Sequence, residues 1–211
     1  MPERPVWQGA RGRVIVAAMS TEPNLQPTRI WDLPTRVFHW LLAASVTGSV
    51  ISAKIGGGAM IWHVRLGLLA LALLAFRLVW GLVGGHWSRF ASFVYAPREL
   101  AAYLRGDPGP GRRFDIGHSP LGALSVFALL ALLMAQVATG LVADDEIATT
   151  GPLNRFVAAA LALKATAWHK TYGQYAIITM IVLHVGAVLF YLVKKRRNLI
   201  APMWHGDKPL A

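Results

Sequence analysis

The 211-residue sequence contains no cysteine. This absence excludes disulfides, thiolate-held iron–sulfur clusters, covalent c-type haem attachment and CxxC redox pairs. If the chain carries a redox centre, its protein ligands have to come from histidine or methionine.

Charged residues are also scarce: they make up 15% of the chain, whereas 55% of it is hydrophobic. This balance is typical of integral membrane proteins, and the length allows one membrane domain. Acidic residues number ten against 21 Lys and Arg, which gives a net charge of +11. The basic residues lie in blocks between apolar runs, so they indicate membrane topology and not nucleic-acid binding.

Four apolar stretches are predicted to cross a bilayer as helices. They cover residues 37–52, 61–83, 121–142 and 167–195. A polar segment, 1–34, precedes them, and its first part, 1–18, is an over-long start if translation begins at Met19. The predicted organisation is completed by a membrane domain, 35–198, and a polar tail, 199–211.

Three features between the spans or near a span end are expected at the membrane surface. Residues 97–105 begin with a proline and have an amphipathic pattern, which predicts a short surface helix. Residues 156–163 are apolar but too few to cross, so a separate interfacial helix is expected. Arg77, near the end of the second span, is expected to extend its guanidinium to the interface.

The basic residues predict the orientation of the spans. Fifteen of the 21 Lys and Arg lie before the first span, between the second and third, or from the last two residues of the fourth span onward. Because positive charge accumulates in cytoplasmic loops, both termini are predicted to be cytoplasmic.

Four histidines then fall at two depths. His169 and His184 are 15 residues apart on the fourth span, which means about 22 Å of helical rise and an angular offset of about 60°. His39 lies at the cytoplasmic entry of the first span, and His184 lies in the cytoplasmic half of the fourth. His63 and His169 both lie near the opposite surface. Paired histidines between apolar helices are a common way to hold b-type haem. The sequence therefore predicts an all-α integral membrane four-helix bundle with two b haems between the helices.

Two glycines support this prediction. Gly67 follows His63 by four residues, and Gly173 follows His169 by four. Each glycine removes a side chain one turn from a histidine, on the same helix face. A flat macrocycle needs such space.

Two arginines lie near the histidines. Arg36 is three residues before His39, and Arg65, with Lys170, lies near the opposite pair. Two interpretations stay open: these cations meet haem propionates, or they are ordinary interfacial anchors.

Several segments resemble the bacterial cytochrome b561 family, which includes the cytochrome b subunits of membrane-bound nickel–iron hydrogenases. The motifs that carry the resemblance are IWDLPTRVFHWLLA (30–43), IWHVRLGLLALALLAFRLVWG (61–81), FASFVYAPRELAAYLRG (90–106), GHSPLGAL (117–124) and WHKTYGQYAIITMIVLHV (168–185). Together they extend over nearly all of the chain after residue 28.

The resemblance implies His39 with His184 as ligands of a cytoplasmic haem, and His63 with His169 as ligands of a periplasmic haem. It also implies a multi-pass protein of the bacterial inner membrane, in contact with membrane lipid. The implied function is quinone-linked electron-transfer oxidoreduction between ubiquinone or menaquinone and a periplasmic partner. That partner is a hydrogenase-like subunit, a c-type cytochrome or, in a superoxide oxidase, superoxide itself. His118, at the mouth of the third span, is expected to be mainly exposed, or else to donate a hydrogen bond near the quinone.

A non-redox membrane anchor or transporter is the alternative, with the histidines as structural or relay groups. Transport is disfavoured because the sequence shows no inverted repeat and no Asp or Glu within the spans. A pure anchor is disfavoured because four polar side chains at two depths would serve no purpose in it.

The charges predicted on the periplasmic side are compatible with two different redox partners. A cationic rim is suited to an anion such as superoxide, and adjacent acids are suited to a basic cytochrome. The rim consists of Lys54, Arg65, Lys164 and Lys170, and the acids are Asp144, Asp145 and Glu146.

Overall fold

The computed structural model describes residues 28–107, 117–147 and 149–208. The predictions for residues 1–27, including the over-long start, and for residues 209–211 lie outside the described residues. Within the described part, four helical segments are long and apolar enough to cross a membrane. The prediction of an all-α membrane bundle with four spans is confirmed.

The described residues form seven α-helices and one π-helical turn. They are α1 (Leu33–Ile55), α2 (Met60–Val83), α3 (Pro97–Leu104), α4 (Pro120–Val142), α5 (Ala159–Trp168), a π-helical turn (His169–Gly173), α6 (Gln174–Val193) and α7 (Ile200–His205). A two-stranded antiparallel ribbon joins β1 (Thr28–Arg29) to β2 (Asp207–Lys208). The spans are α1, α2, α4 and the continuous α5, π turn and α6.

The fourth span is longer than predicted, because it runs without interruption over Ala159–Val193. The expectation of a separate interfacial helix at 156–163 is therefore wrong. No glycine or proline separates Leu163 from Trp168, and the alanine-rich sequence there favours helix. The helix simply continues into the span.

The core of the bundle draws one side chain or more from each span. Phe38, Leu74, Leu130, Leu133 and Ile177 form its buried apolar cluster. Many other large apolar side chains remain exposed on the outside of the helices, such as Leu82, which is 72% exposed. An apolar outer surface of this kind is what contact with membrane lipid requires.

Asp32 anchors the beginning of α1. Its carboxylate accepts hydrogen bonds from the Thr35 backbone N–H at 2.9 Å, the Ser88 hydroxyl at 2.7 Å and the Trp80 indole at 3.1 Å. Burial alone would raise the pKa of Asp32, but these hydrogen bonds hold the pKa below its usual value. The carboxylate thus ties α1 to the end of α2 and to the loop that follows.

That loop also buries Arg77. The side chain is 4% exposed, and its guanidinium lies 4.6 Å from the centroid of the Phe90 ring. Phe90 packs so closely on α2 that a Cβ at Gly81 would overlap its ring. The predicted extension of Arg77 to the interface is therefore wrong, because the loop after α2 folds back over the helix end.

His118 is also covered. Its ring centroid lies 4.3 Å from that of Phe93 and 4.7 Å from that of Trp31, and its buried Nδ1 has no partner among the described residues. Burial, with smaller contributions from Arg77 and Lys208, lowers the pKa of His118 to about 4. The expectation of a mainly exposed imidazole is wrong, because aromatic side chains distant in the sequence enclose it.

The first and last described elements, β1 and α7 with β2, close over the same end of the bundle. Gly206 accepts hydrogen bonds from the backbone N–H groups of Ile30 and Trp31 at 3.0 and 3.1 Å. The rings of Trp40 and Trp204 stack with centroids 5.1 Å apart. These contacts fasten α7 to the first turns of α1.

Two histidine pairs as the candidate functional site

The bundle brings its four intramembrane histidines together in two pairs. The termini-side pair, His39 of α1 and His184 of α6, lies at the end where α7 and the β1–β2 ribbon pack against the start of α1, with ring centroids 6.4 Å apart and an interplanar angle of 48°. The loop-side pair, His63 of α2 and His169 of the π turn, has centroids 5.9 Å apart at 88°. These are the pairings expected from helix depth.

The π turn changes the phase between the two histidines of the fourth span. A regular α-helix would separate their directions by about 60° over 15 residues. One π turn inserts roughly one extra residue, which changes the offset to about 40° in the opposite sense. Each imidazole thereby faces a partner on a different neighbouring helix.

The separations suit a metal held between two imidazoles. Metal–imidazole bonds are about 2.0–2.1 Å long for zinc, so two rings on opposite sides of one ion have centroids roughly 6 Å apart. Both pairs are near that separation.

Each candidate site offers two protein side chains as metal ligands. Within the described residues, no group of three or more His, Cys, Asp or Glu side chains could hold a metal ion. A bare zinc or copper ion needs more protein donors than a pair supplies. The pairs therefore suit an iron that brings its remaining ligands with it, as haem iron does.

Main-chain carbonyls orient both loop-side rings. The Nδ1–H of His63 donates to the Ser49 carbonyl, and the Nδ1–H of His169 donates to the Gln136 carbonyl, both at 2.9 Å. Because Nδ1 is the donor, Nε2 keeps its lone pair for a metal. Hydrogen bonds of this kind are the usual support of a metal-binding histidine.

Sequence reasoning missed the contribution of α4, which carries no histidine of its own. A Cβ at Gly140 would lie 2.8 Å from the Cε1 of His169, so the missing side chain makes room for that ring. The Gln136 side chain donates to the His169 carbonyl at 3.0 Å, and the Thr139 hydroxyl lies 3.3 Å from its Nδ1. The only available signal was a polar, glycine-containing stretch, AQVATG (135–140), at the end of an apolar span.

The two predicted glycines have different surroundings. A Cβ at Gly67 would meet nothing within 4 Å, so the space beside His63 is open. A Cβ at Gly173 would overlap Gln136 and Trp168, so this glycine lets α4 approach the π turn closely. Gly186, two residues after His184, again has open space beside it. Gly67 therefore leaves open space on the helix face of His63, whereas Gly186 lies on the face of α6 opposite to His184.

The two predicted arginines lie on opposite sides of the bundle. Arg36 donates to the Trp204 carbonyl, and its buried Nε has no partner among the described residues. Arg65 is exposed and lies 5.2 Å from the Trp62 ring. Contact with haem propionates stays a prediction for both.

The termini-side rings are held differently. The buried Nδ1 of His39 has no hydrogen-bond partner among the described residues. Its ring packs edge-on against Trp40, with centroids 5.1 Å apart. Packing of aromatic rings and the closing chain ends, rather than a carbonyl acceptor, surrounds this ligand candidate.

A bundle of four membrane-crossing helices with paired imidazoles inside it defines a multi-pass membrane protein. The family model described as prokaryotic cytochrome b561 matches residues 30–206. The chain belongs to this family and is a membrane haem-b electron-transfer protein.

Two relatives illustrate the similarity. The chain is 21% identical over 214 residues to a probable Ni/Fe-hydrogenase B-type cytochrome subunit of Bradyrhizobium diazoefficiens, with 85% of each chain covered. It is 23% identical over 149 residues to a probable Ni/Fe-hydrogenase 1 B-type cytochrome subunit of Escherichia coli, covering 58% of this chain and 63% of the relative. No solved structure matches the chain.

Proposed function

We propose that the protein holds two b haems, one at each histidine pair, and carries electrons across the membrane between the quinone pool and a redox partner. The observation that carries this proposal is the presence of two histidine pairs with centroids 5.9 and 6.4 Å apart. Haem supplies reversible one-electron chemistry when bound. The ligands are His39 with His184 and His63 with His169.

The protein's own part is to position the imidazoles and keep them dry. The Ser49 and Gln136 carbonyls set the tautomer of the loop-side rings. The apolar cluster around Leu74 and Ile177 excludes water from the middle of the bundle. A fixed, apolar ligand environment lowers the reorganisation needed when an electron arrives or leaves.

The orientation follows from the basic residues. Arg89, Arg98 and Arg105 lie in the connection between α2 and α4, and four adjacent cations, 194–197, follow α6. The positive-inside rule assigns this end, with both termini, to the cytoplasm of a bacterial inner membrane. The termini-side pair is then the cytoplasmic site and the loop-side pair the periplasmic one.

The periplasmic partner is proposed to be a protein subunit. Both relatives named above are described as cytochrome subunits of Ni/Fe-hydrogenases. On the loop side, Ile147 is 91% exposed and Phe156 is 68% exposed. Exposed apolar side chains on the connection between α4 and α5 suit contact with another protein. Glu146, exposed beside Ile147, adds a charge that a basic neighbour complements.

The test follows the visible spectrum of the purified protein while it is reduced, in separate experiments, by a quinol and by superoxide. A soluble ubiquinol or menaquinol analogue is expected to produce b-type absorbance, and His86→Ala is the matched control because His86 is exposed and outside both pairs. Absence of a b-type spectrum in protein from haem-producing cells would overturn the proposal. Rapid reduction by enzymatically generated superoxide, with no dependence on Ile147 or Phe156, would replace the protein partner by superoxide.

A further inference from the structure

The two histidine pairs differ in the hydrogen bonding of their Nδ1 atoms. Both loop-side imidazoles donate from Nδ1 to a main-chain carbonyl at 2.9 Å. The buried Nδ1 of His39 has no acceptor among the described residues, and no hydrogen bond of theirs involves the imidazole of His184. One pair is supported by hydrogen bonds and the other is not.

This difference alters the donor strength of the rings. An Nδ1–H that donates to a carbonyl makes Nε2 more basic and therefore a better metal ligand. A more basic ligand stabilises ferric iron relative to ferrous iron, because the ferric ion carries more positive charge. Hydrogen bonding around the ligands is one of the means by which a protein sets a haem potential.

Nearby charge acts in the same direction. Arg36 lies one turn before His39, is half-buried and keeps an unpartnered Nε among the described residues. A cation in an apolar environment favours the ferrous state, because that state carries less positive charge. On the loop side, Arg65 and Lys170 are exposed, so solvent and salt screen them more strongly.

We infer that the loop-side pair holds the haem of lower reduction potential and the termini-side pair the haem of higher potential. The inference rests on the proposed function, since it requires both haems. With haem bound at both pairs, one electron would pass from a ferrous loop-side iron to a ferric termini-side iron, and no bond or proton would change. The expected equilibrium favours the termini-side haem at least tenfold, which is about 59 mV for one electron.

The test is a spectroelectrochemical titration of the wild type and of two single-pair variants. His63→Ala leaves the termini-side pair and His39→Ala leaves the loop-side pair, so each remaining haem reports one site. The haem left in His63→Ala is expected to have the higher midpoint potential. Equal potentials, or the reverse order, would overturn the inference while leaving the proposed function intact. A wild type without haem would overturn the proposed function itself.

A second measurement assigns the potentials without removing a ligand. In sealed vesicles of known orientation, a membrane-impermeant dysprosium chelate speeds the magnetic relaxation of the nearer haem. Chelate on the membrane face that carries α7 is expected to affect the high-potential haem. An effect on the low-potential haem from that face would contradict the assignment.

A third variant tests the hydrogen bond directly. The Ser52 hydroxyl donates to the Gly48 carbonyl at 2.7 Å and shares its proton with the Ser49 carbonyl at 3.1 Å, so it competes in part with His63 for the Ser49 acceptor. Ser52→Ala is expected to strengthen the His63 hydrogen bond and so lower the reduction potential of the loop-side haem. The shift should change the electron equilibrium between the two haems by less than tenfold, and the termini-side potential should stay unchanged. Equal shifts at both haems would indicate a general structural effect and contradict the inference.

Discussion

The loop-side and termini-side ends of the bundle position their histidines by different means. At the loop side, the supports are local: a π turn, a glycine that clears the ring of His169, and two main-chain carbonyls. At the termini side, the supports come from the ends of the chain, where α7 and the β1–β2 ribbon close over α1. The comparison shows that two chemically similar pairs can rest on hydrogen bonds in one case and on packing in the other. Substitutions at each end should therefore have separable effects.

Removal of one histidine is expected to cause the largest difference between the two ends of the bundle, measured as haem content. His169→Ala should lose the loop-side haem and keep the termini-side haem, because the pairs share no ligand. Haem content measured per chain by pyridine haemochrome should fall by about half, and His86→Ala should leave it unchanged. Loss of both haems from each single variant, with the protein still folded, would show that the two sites are not independent.

Added methyl groups at two glycines should separate haem space from protein packing. Gly140→Ala presses on His169 and should lower the stability of the protein by about 1–3 kcal/mol with or without haem. Gly67→Ala meets nothing in the protein, so it should reduce loop-side haem occupancy without lowering the stability of haem-free protein. Thermal unfolding of both forms, with haem content, measures this. Full haem retention in Gly67→Ala would contradict the predicted role of that glycine.

Acid should weaken the termini-side end through His118. Its pKa is lowered to about 4 in the folded protein, whereas an unfolded histidine has a pKa of about 6.5. The unfolded chain therefore binds the proton first as pH falls, and stability is lost between about pH 6.5 and pH 4, by on the order of 3 kcal/mol. The Tm in detergent should fall over this window.

The control for this pH effect is His118→Gln, which cannot titrate. Its Tm should depend less on pH between 6.5 and 4, whatever its absolute stability. An unchanged pH dependence would show that another group causes the acid effect. The lowered pKa of Asp32 acts at lower pH, because that carboxylate loses its stabilising charge only when it is protonated.

Loss of the tryptophan stack should have the smallest effect. Trp204→Ala removes the partner of Trp40, and an aromatic pair contributes about 0.5–1.5 kcal/mol beyond burial. The expected result is a small decrease in Tm and faster release of the termini-side haem alone. A comparable change at the loop-side haem would contradict the separation of the two ends.

The sequence predicted the features that depend on periodicity and depth. The apolar runs located all four spans, and most of the predicted span ends lie within a few residues of the observed ones. Helix direction placed His39 near His184 and His63 near His169. The ligand roles themselves stay a prediction. The beginning of the fourth span was misjudged because an eight-residue apolar run does not reveal that the helix continues past Lys164.

Features that depend on tertiary closure could not be predicted in this way. The burial of Arg77 and His118 depends on aromatic side chains that only the folded loop after α2 brings near them. The closure of α7 over α1 joins residues more than 160 positions apart in the chain. The supporting role of Gly140 could not be recognised without knowing that His169 points at α4.

The most direct test of the account is the haem content of the purified wild-type protein. A dithionite-reduced minus oxidised spectrum with pyridine-haemochrome quantification should give two b haems per chain. One haem per chain would contradict the assignment of a haem to each histidine pair, and none would contradict the electron-transfer function proposed for this chain.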